Sequence, residues 1–175
     1  MRTGKNLVDA RAKQIAEQFT HAHGELLSIA ERCSGAEWRA YSAAEGWRVE
    51  TTVHHVAADY PALFEVLQAI STGVPPPSVT REQLDQRNAR HAQQSAGLTK
   101  QETLVLLRRN GGAITDFIRR LNSQQLDPTG QVLGQNVSGA HVIETWMIGH
   151  IQNHLTSIRA TIERIEVDEN VDRAC

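Results

Sequence analysis

The stretch SGAHVIETWMIGHIQNHLTSIRATIERIEV, residues 138–167, decides the fold of this chain. Its apolar residues recur at helical spacing and no proline interrupts it, which predicts a long amphipathic helix. His150 and His154 lie four residues apart on the apolar stripe and would face the interior of a bundle. An imidazole without a partner is costly there. The pair therefore predicts either two metal ligands or two core histidines that hydrogen-bond to backbone carbonyls.

Length and composition favour one soluble helical domain. The chain has 175 residues, which suffice for a core without disulfides. Its formal net charge is −2 and its basic residues are scattered, so nucleic acid is not expected as a partner. Because neither a signal peptide nor a membrane-spanning apolar run is evident, we expect a cytoplasmic protein without a membrane partner. The domain is expected over residues 1–165, followed by an acidic tail over 166–175 that frays.

The boundaries of further helices are visible in the sequence. The first helix is predicted to end near Ser34-Gly35, and the second follows Gly46-Trp47 and ends before the prolines at 75–77. Thr80 with Gln83 and Thr99 with Glu102 form capping-box patterns, which place helix starts directly after both threonines. Since alternating apolar patterns are almost absent, the sequence predicts an all-α four-helix bundle with an additional short polar helix and almost no strand.

The additional helix, which follows Thr80, has few apolar residues. Asn88 and His91 lie on the same side of it as Leu84. If that side faces the bundle, both would point at the mouth of a pocket. A solvated surface helix is the favoured interpretation, because polar helix faces are usually wet.

An open metal site usually has a third protein ligand, which a bundle would supply from a facing helix. The candidates on the second helix are His54 and His55, and both flank its apolar stripe. His55 lies slightly closer to the centre of the stripe. It also has Asp59 one turn later, a carboxylate that could orient the ring, whereas His54 could equally be exposed.

Gly46-Trp47-Arg48-Val49, His55 eight residues after the tryptophan, and His150-x-x-x-His154 together resemble the DinB-like superfamily. The resemblance covers most of the chain, to about Ile165. It implies a four-helix bundle of DinB-like type in which one histidine of the second helix and two of the last bind a divalent metal. This assigns the metal to His55, His150 and His154.

A narrower resemblance concerns Glu144. The run Val142-Ile143-Glu144-Thr145-Trp146 is similar to a helix of mycothiol-dependent maleylpyruvate isomerases, whose late ligands are a glutamate and a histidine four residues apart. Here Ile148 stands four residues after Glu144 and cannot bind a metal. Either Glu144 is a polar neighbour of a site in which His150 is the ligand, or the likeness is accidental. The isomerase activity is not carried over.

Three neutral imidazoles leave a metal its full charge, which activates a bound water or thiol as a nucleophile. The resemblance implies thiol S-transferases, which use a low-molecular-weight thiol such as mycothiol or bacillithiol, and also hydrolases. We expect a metal-dependent transferase or hydrolase of small molecules that holds zinc or nickel. The alternative is a non-catalytic bundle that binds a metal or small ligand for stress response or sequestration. A homodimer through the first helix is a further expectation. The side chains expected to hydrogen-bond the bound water, thiol or substrate are Asp59, Asn88, His91 and Asn153.

Overall fold

The computed structural model describes residues 3–94 and 99–174. In the first half of the chain, α1 (Thr3–Arg32), α2 (Gly35–Arg39), β1 (Tyr41–Ser42), β2 (Trp47–Arg48) and α3 (Val49–Ser71) follow one another. The second half contains α4 (Arg81–Gln94), α5 (Lys100–Ile118), α6 (Ser123–Leu126), β3 (Thr129–Val132), β4 (Gln135–Ser138), α7 (Gly139–His141), a π-helical segment (Val142–Gly149) and α8 (His150–Ala174).

Four long helical stretches form the bundle, namely α1, α3, α5 and the continuous run from α7 to α8. Their apolar faces enclose one core, in which the largest fully buried side chains include Phe19, Tyr60, Leu107 and Met147. The predicted four-helix bundle with an additional polar helix is confirmed. Within the described residues, no helix is both long and apolar enough to cross a bilayer.

Local signals set the ends of the helices as the sequence predicts. Both capping boxes form, because the hydroxyl of Thr80 accepts from the Gln83 amide and the hydroxyl of Thr99 accepts from the Glu102 amide. The α3 helix ends at Ser71, and Gly73 follows with φ of 73° in the left-handed region. The prediction of helix starts after both threonines is therefore confirmed.

The prediction of almost no strand is wrong at two places. The β1 and β2 strands pair in antiparallel fashion, and so do β3 and β4. The turn between β3 and β4 consists of Leu133 with φ of 51° and Gly134 with φ of 75°. Two central residues with positive φ are typical of a type I′ hairpin turn. Leucine is not the usual first residue of such a turn, so only Gly134 of the two central residues indicated a hairpin in the sequence.

The last helix is continuous from Gly139, but its second part is wound as a π-helix over Val142–Gly149. A π-helix bonds i to i+5, so each of its hydrogen bonds spans one more residue than in the α-helix that the periodicity predicted. The α8 helix continues to Ala174, so residues 166–174 of the expected tail are helical, and fraying of that tail stays a prediction. The domain boundary at residue 165 stays a prediction.

Candidate metal centre

His55 of α3 and His150 and His154 of α8 bring their rings together inside the bundle, and we call them the three-histidine centre. His150 Nε2 lies 3.2 Å from His55 Nε2 and 2.8 Å from His154 Nε2. One nitrogen of each ring lies within 4.8 Å of those of the other two. Three ring nitrogens that converge in this way match the donor set of an open site with three protein ligands.

A carboxylate fixes the orientation of His154. Its Nδ1 lies 3.0 Å from Oε1 of Glu45, which is placed by the turn between β1 and β2. A carboxylate oxygen can only accept, so Nδ1–H donates to Glu45 and Nε2 faces the other two histidines. Glu45 is 14% exposed, which shields this contact from water. Sequence reasoning missed Glu45, because it sought such a partner only for His55 and only one helical turn away.

Burial keeps two of the three rings neutral. Burial, followed by the neighbouring histidines, lowers the pKa of His55 to about 3 and that of His150 to about 4. Both side chains are thus unprotonated at neutral pH. Neutral imidazole is the form that binds a metal ion, so these residues fit a divalent cation.

Asp59 lies elsewhere than the sequence reasoning expected. Its Oδ2 is 3.5 Å from Nε2 of His55, the nitrogen that faces the other histidines, and its Oδ1 is 3.2 Å from Arg87. It is therefore beside the convergence point and does not support the ring of His55 from behind. The Nδ1 of His55 is buried without a hydrogen-bond partner among the described residues.

His54, the other candidate on α3, contacts His91 of α4. Its Nδ1 lies 3.2 Å from Nε2 of His91, and the two rings stack with centroids 4.7 Å apart. The ring centroid of His91 is 5.4 Å from that of His55. His54 is therefore outside the three-histidine centre, while the ring of His91 lies edge-on to that of His55.

The polar helix α4 turns one face to the bundle. Leu84, Arg87, Asn88 and His91 are half-buried, and the residues between them are exposed. The favoured interpretation of a solvated helix is thus wrong for this face. The Oδ1 of Asn88 is buried without a partner in the described part of the chain.

A cavity of about 550 Å³ opens next to the centre. His150, Asp59 and Arg87 contribute polar groups to its wall next to the histidines. The further polar residues of the wall, all of them exposed, are Glu65, Ser78, Thr145 and Asn153. Asn88 and His91 lie outside the lining that the described residues form. The apolar part of the wall comes from the pocket-facing side of α3, from α4, from the tip of the second hairpin and from the π-helical segment, and includes Leu63, Val66, Leu84, Val132, Leu133 and Trp146.

Glu144 is exposed on the π-helical segment and does not belong to the group of potential ligands.

The side chains that the sequence reasoning missed are Glu45, Arg87 and Trp47. The ring of Trp47 lies edge-on to that of His55 with centroids 5.1 Å apart. The Gly46-Trp47 motif marked its neighbourhood, whereas Arg87 carried no signal of its own.

Comparison with known proteins gives matches of fold and family. A mycothiol-dependent maleylpyruvate isomerase and a mutant form of it superpose on 84% of this chain with a TM-score of 0.69 and 15% identity. This chain spans 60% of the length of that isomerase. YfiT from Bacillus subtilis, described as a probable metal-dependent hydrolase with an unusual four-helix bundle topology, superposes with a TM-score of 0.71. It is 16% identical, over 89% of this chain and 87% of its own.

The comparison with curated proteins finds no match. The family comparison matches residues 19–150, a range that includes α3 with His55 and extends to His150. Three quarters of the chain lie within this match. The chain therefore belongs to the family of the mycothiol maleylpyruvate isomerase N-terminal domain.

Proposed function

We propose that this protein is a divalent-metal-dependent enzyme that acts on small molecules, with His55, His150 and His154 as metal ligands. The observation that carries the proposal is the convergence of three ring nitrogens, with distances of 2.8 Å and 3.2 Å, at the edge of a cavity. A site that opens on a cavity leaves room for substrate, as a catalytic metal site requires. Imidazole ligands suit zinc and nickel, which are our leading candidates.

A metal bound there would lower the pKa of a coordinated water or thiol and so supply a nucleophile at neutral pH. Each protein group then has a distinct task. Glu45 holds the ring of His154 in place through the 3.0 Å contact. Asp59, beside Nε2 of His55, accepts the proton that the nucleophile gives up, and Arg87 orients the Asp59 carboxylate.

The attacking group is a thiol in one version of the proposal and water in the other. The likeness to a mycothiol-dependent isomerase supports a transferase that uses a low-molecular-weight thiol. The likeness to a probable metal-dependent hydrolase supports water. In this proposal Asn153 at the cavity rim would hydrogen-bond the substrate, and His91 and Asn88 would support the site from α4. A homodimer through α1 stays a prediction.

One observation favours a non-catalytic metal-binding bundle as a second candidate. The Oδ2 of Asp59 is 3.5 Å from Nε2 of His55, which is near enough to become a fourth ligand after a small side-chain rotation. A fourth protein ligand would close the site, as in structural zinc sites.

Elemental analysis of the purified chain tests the ligand set. We expect about one divalent metal ion per chain in the wild type and a loss of that metal in His55→Ala and in His150→Ala. His21→Ala removes an exposed histidine of α1 and serves as the control that keeps its metal. Absence of metal from the wild type, or full metal content in both site variants, would overturn the proposal.

Asp59→Asn separates the two candidates. If Asp59 takes up a proton, the variant keeps its metal and loses hydrolysis or thiol transfer with activated esters as substrates. If Asp59 closes the site, the variant loses affinity for metal and the wild type is inactive with and without added thiol. Measuring the turnover of the esters with and without added thiol also identifies the nucleophile.

A further inference from the structure

The cavity beside the three-histidine centre has a polar end and an apolar body. Asp59 contacts both His55 and Arg87, so these charged groups of the wall gather where the histidines are. The other polar residues of the wall, all of them exposed, are Asn153, Ser78, Thr145 and Glu65. The remainder of the wall is dominated by aliphatic side chains and the ring of Trp146. A ligand that fits this cavity therefore has polar atoms at one end and an apolar body at the other.

The size of the cavity limits the ligand further. About 550 Å³ lies in the range of sites that enclose small organic molecules. Hydroxyl or charged groups of a ligand that lie against Leu84 and Val132 would lose their hydrating water and gain no hydrogen bond from these side chains. A highly polar thiol cofactor thus does not fill this body, which leaves it to the second substrate.

Arg87 is the positive group that a ligand carboxylate would meet, in a lining that also contains the carboxylates of Asp59 and Glu65. It is the one lysine or arginine among the described residues that line the cavity, and its side chain is 42% exposed. One terminal nitrogen forms an ion pair with Asp59 at 3.2 Å, while its Nε is buried without a partner in the described structure. A guanidinium has five donors in a planar fork, so Arg87 has donors left for a second carboxylate.

We propose that the substrate is an amphiphilic monoanion, with its apolar body in the cavity and a carboxylate on Arg87. This inference rests on the proposed function and specifies its substrate class. Because Arg87 and the three-histidine centre lie at the same end, the reacting atoms of the substrate are within a few bonds of its carboxylate. A dicarboxylic acid is a poor ligand, since its second charge would lie against the apolar wall.

Calorimetric titration of the full-length chain with octanoate, 1-octanol and suberate tests this inference. The three probes share an eight-carbon body and differ in carrying one, no and two carboxylates. We expect octanoate to bind about tenfold more tightly than 1-octanol and suberate, because one charge-assisted hydrogen-bonded pair adds about that factor. In Arg87→Gln, octanoate should bind no better than 1-octanol, whose affinity should not change. The control Arg90→Gln, on the exposed side of α4, should keep the wild-type order.

Two results would overturn the inference. One is equal binding of the three probes or strongest binding of suberate. The other is a preference for octanoate that EDTA abolishes and Arg87→Gln leaves intact, since the metal would then hold the carboxylate. The metal content of Arg87→Gln should stay at the wild-type level. If the metal analysis fails while the order of the probes holds, only the proposed function falls.

Discussion

His154 is oriented by a carboxylate that lies 109 positions earlier in the chain. Glu45 reaches it because the short β1–β2 hairpin turns just before α3 begins and carries the side chain over the centre. Such a contact fixes the tautomer of a ligand histidine and raises its basicity. The residue that tunes the site is thus part of a turn and not of the bundle.

Replacing Glu45 should weaken metal binding without unfolding the protein. Glu45→Gln keeps the size of the side chain and removes its charge, so we expect metal affinity to fall about 10- to 100-fold. Competition with a chelator of known affinity measures this change. The matched control is Glu144→Gln, in which an exposed glutamate near His150 is replaced. Equal affinity of both variants would argue against the role of Glu45.

Gly111 and Gly112 are adjacent on α5 and should respond oppositely to alanine. A Cβ at Gly111 would overlap the buried ring of His23, whereas a Cβ at Gly112 meets nothing within 4 Å. We expect Gly111→Ala to destabilise the fold by about 2 kcal/mol through overpacking. Gly112→Ala should stabilise it by up to about 1 kcal/mol, because alanine favours the helix. Urea unfolding of both variants tests the pair, and a stabilising Gly111→Ala would contradict the packing argument.

At the scale of elements, sequence reasoning succeeded where the determining chemistry is local. The capping boxes at Thr80 and Thr99 lie within four residues, so the starts of α4 and α5 were predictable. The β3–β4 hairpin was missed because Leu133 occupies a position that usually selects asparagine or glycine. The π-helical segment was missed because its apolar residues fit α-helical spacing equally well. Histidine spacing found the ligand candidates, but the position of Arg87 depends on how α4 docks.

Polar contacts hold α4 against α3. Among the described residues, the ring of His91 contacts that of His54, and Arg87 forms an ion pair with Asp59. The half-buried Leu84 adds an apolar contact surface. We therefore expect His91→Ala to raise the amide hydrogen exchange of residues 81–94 several-fold while the global free energy of unfolding changes little. His21→Ala is the control for loss of an exposed histidine. Unchanged exchange in α4 would show that the ring pair does not anchor it.

At the scale of the whole molecule, buried neutral histidines make the fold sensitive to acid. His23 of α1 packs against α3 and α5, and its Nδ1 is 3.1 Å from the hydroxyl of Tyr60. Burial lowers the pKa of His23 to about 4 from its ordinary 6.5. Between these two values the unfolded chain binds the proton and the folded chain does not. Stability is therefore retained above pH 6.5 and lost as pH falls towards 4.

Between pH 7.5 and pH 5, we expect His23 to lower the free energy of unfolding by about 2 kcal/mol. Urea unfolding of the wild type and of His23→Gln at both pH values isolates this effect, since glutamine can still bond Tyr60 and does not titrate. We expect the loss of stability on acidification to be smaller by that amount in the variant. Identical losses in both proteins would refute the assignment of this pH dependence to His23.

Leu133 sits at the tip of the second hairpin with φ of 51° and also lines the cavity. A left-handed backbone costs a leucine about 1–2 kcal/mol. Asparagine or glycine would relieve the backbone strain of the turn, but either would remove an aliphatic side chain from the wall of the cavity. Leu133 thus lowers the stability of the hairpin, while its side chain forms part of the cavity wall. A single substitution at this tip could retune which molecules enter while the histidines and their supporting carboxylate stay untouched, so specificity can diverge in this fold independently of its chemistry.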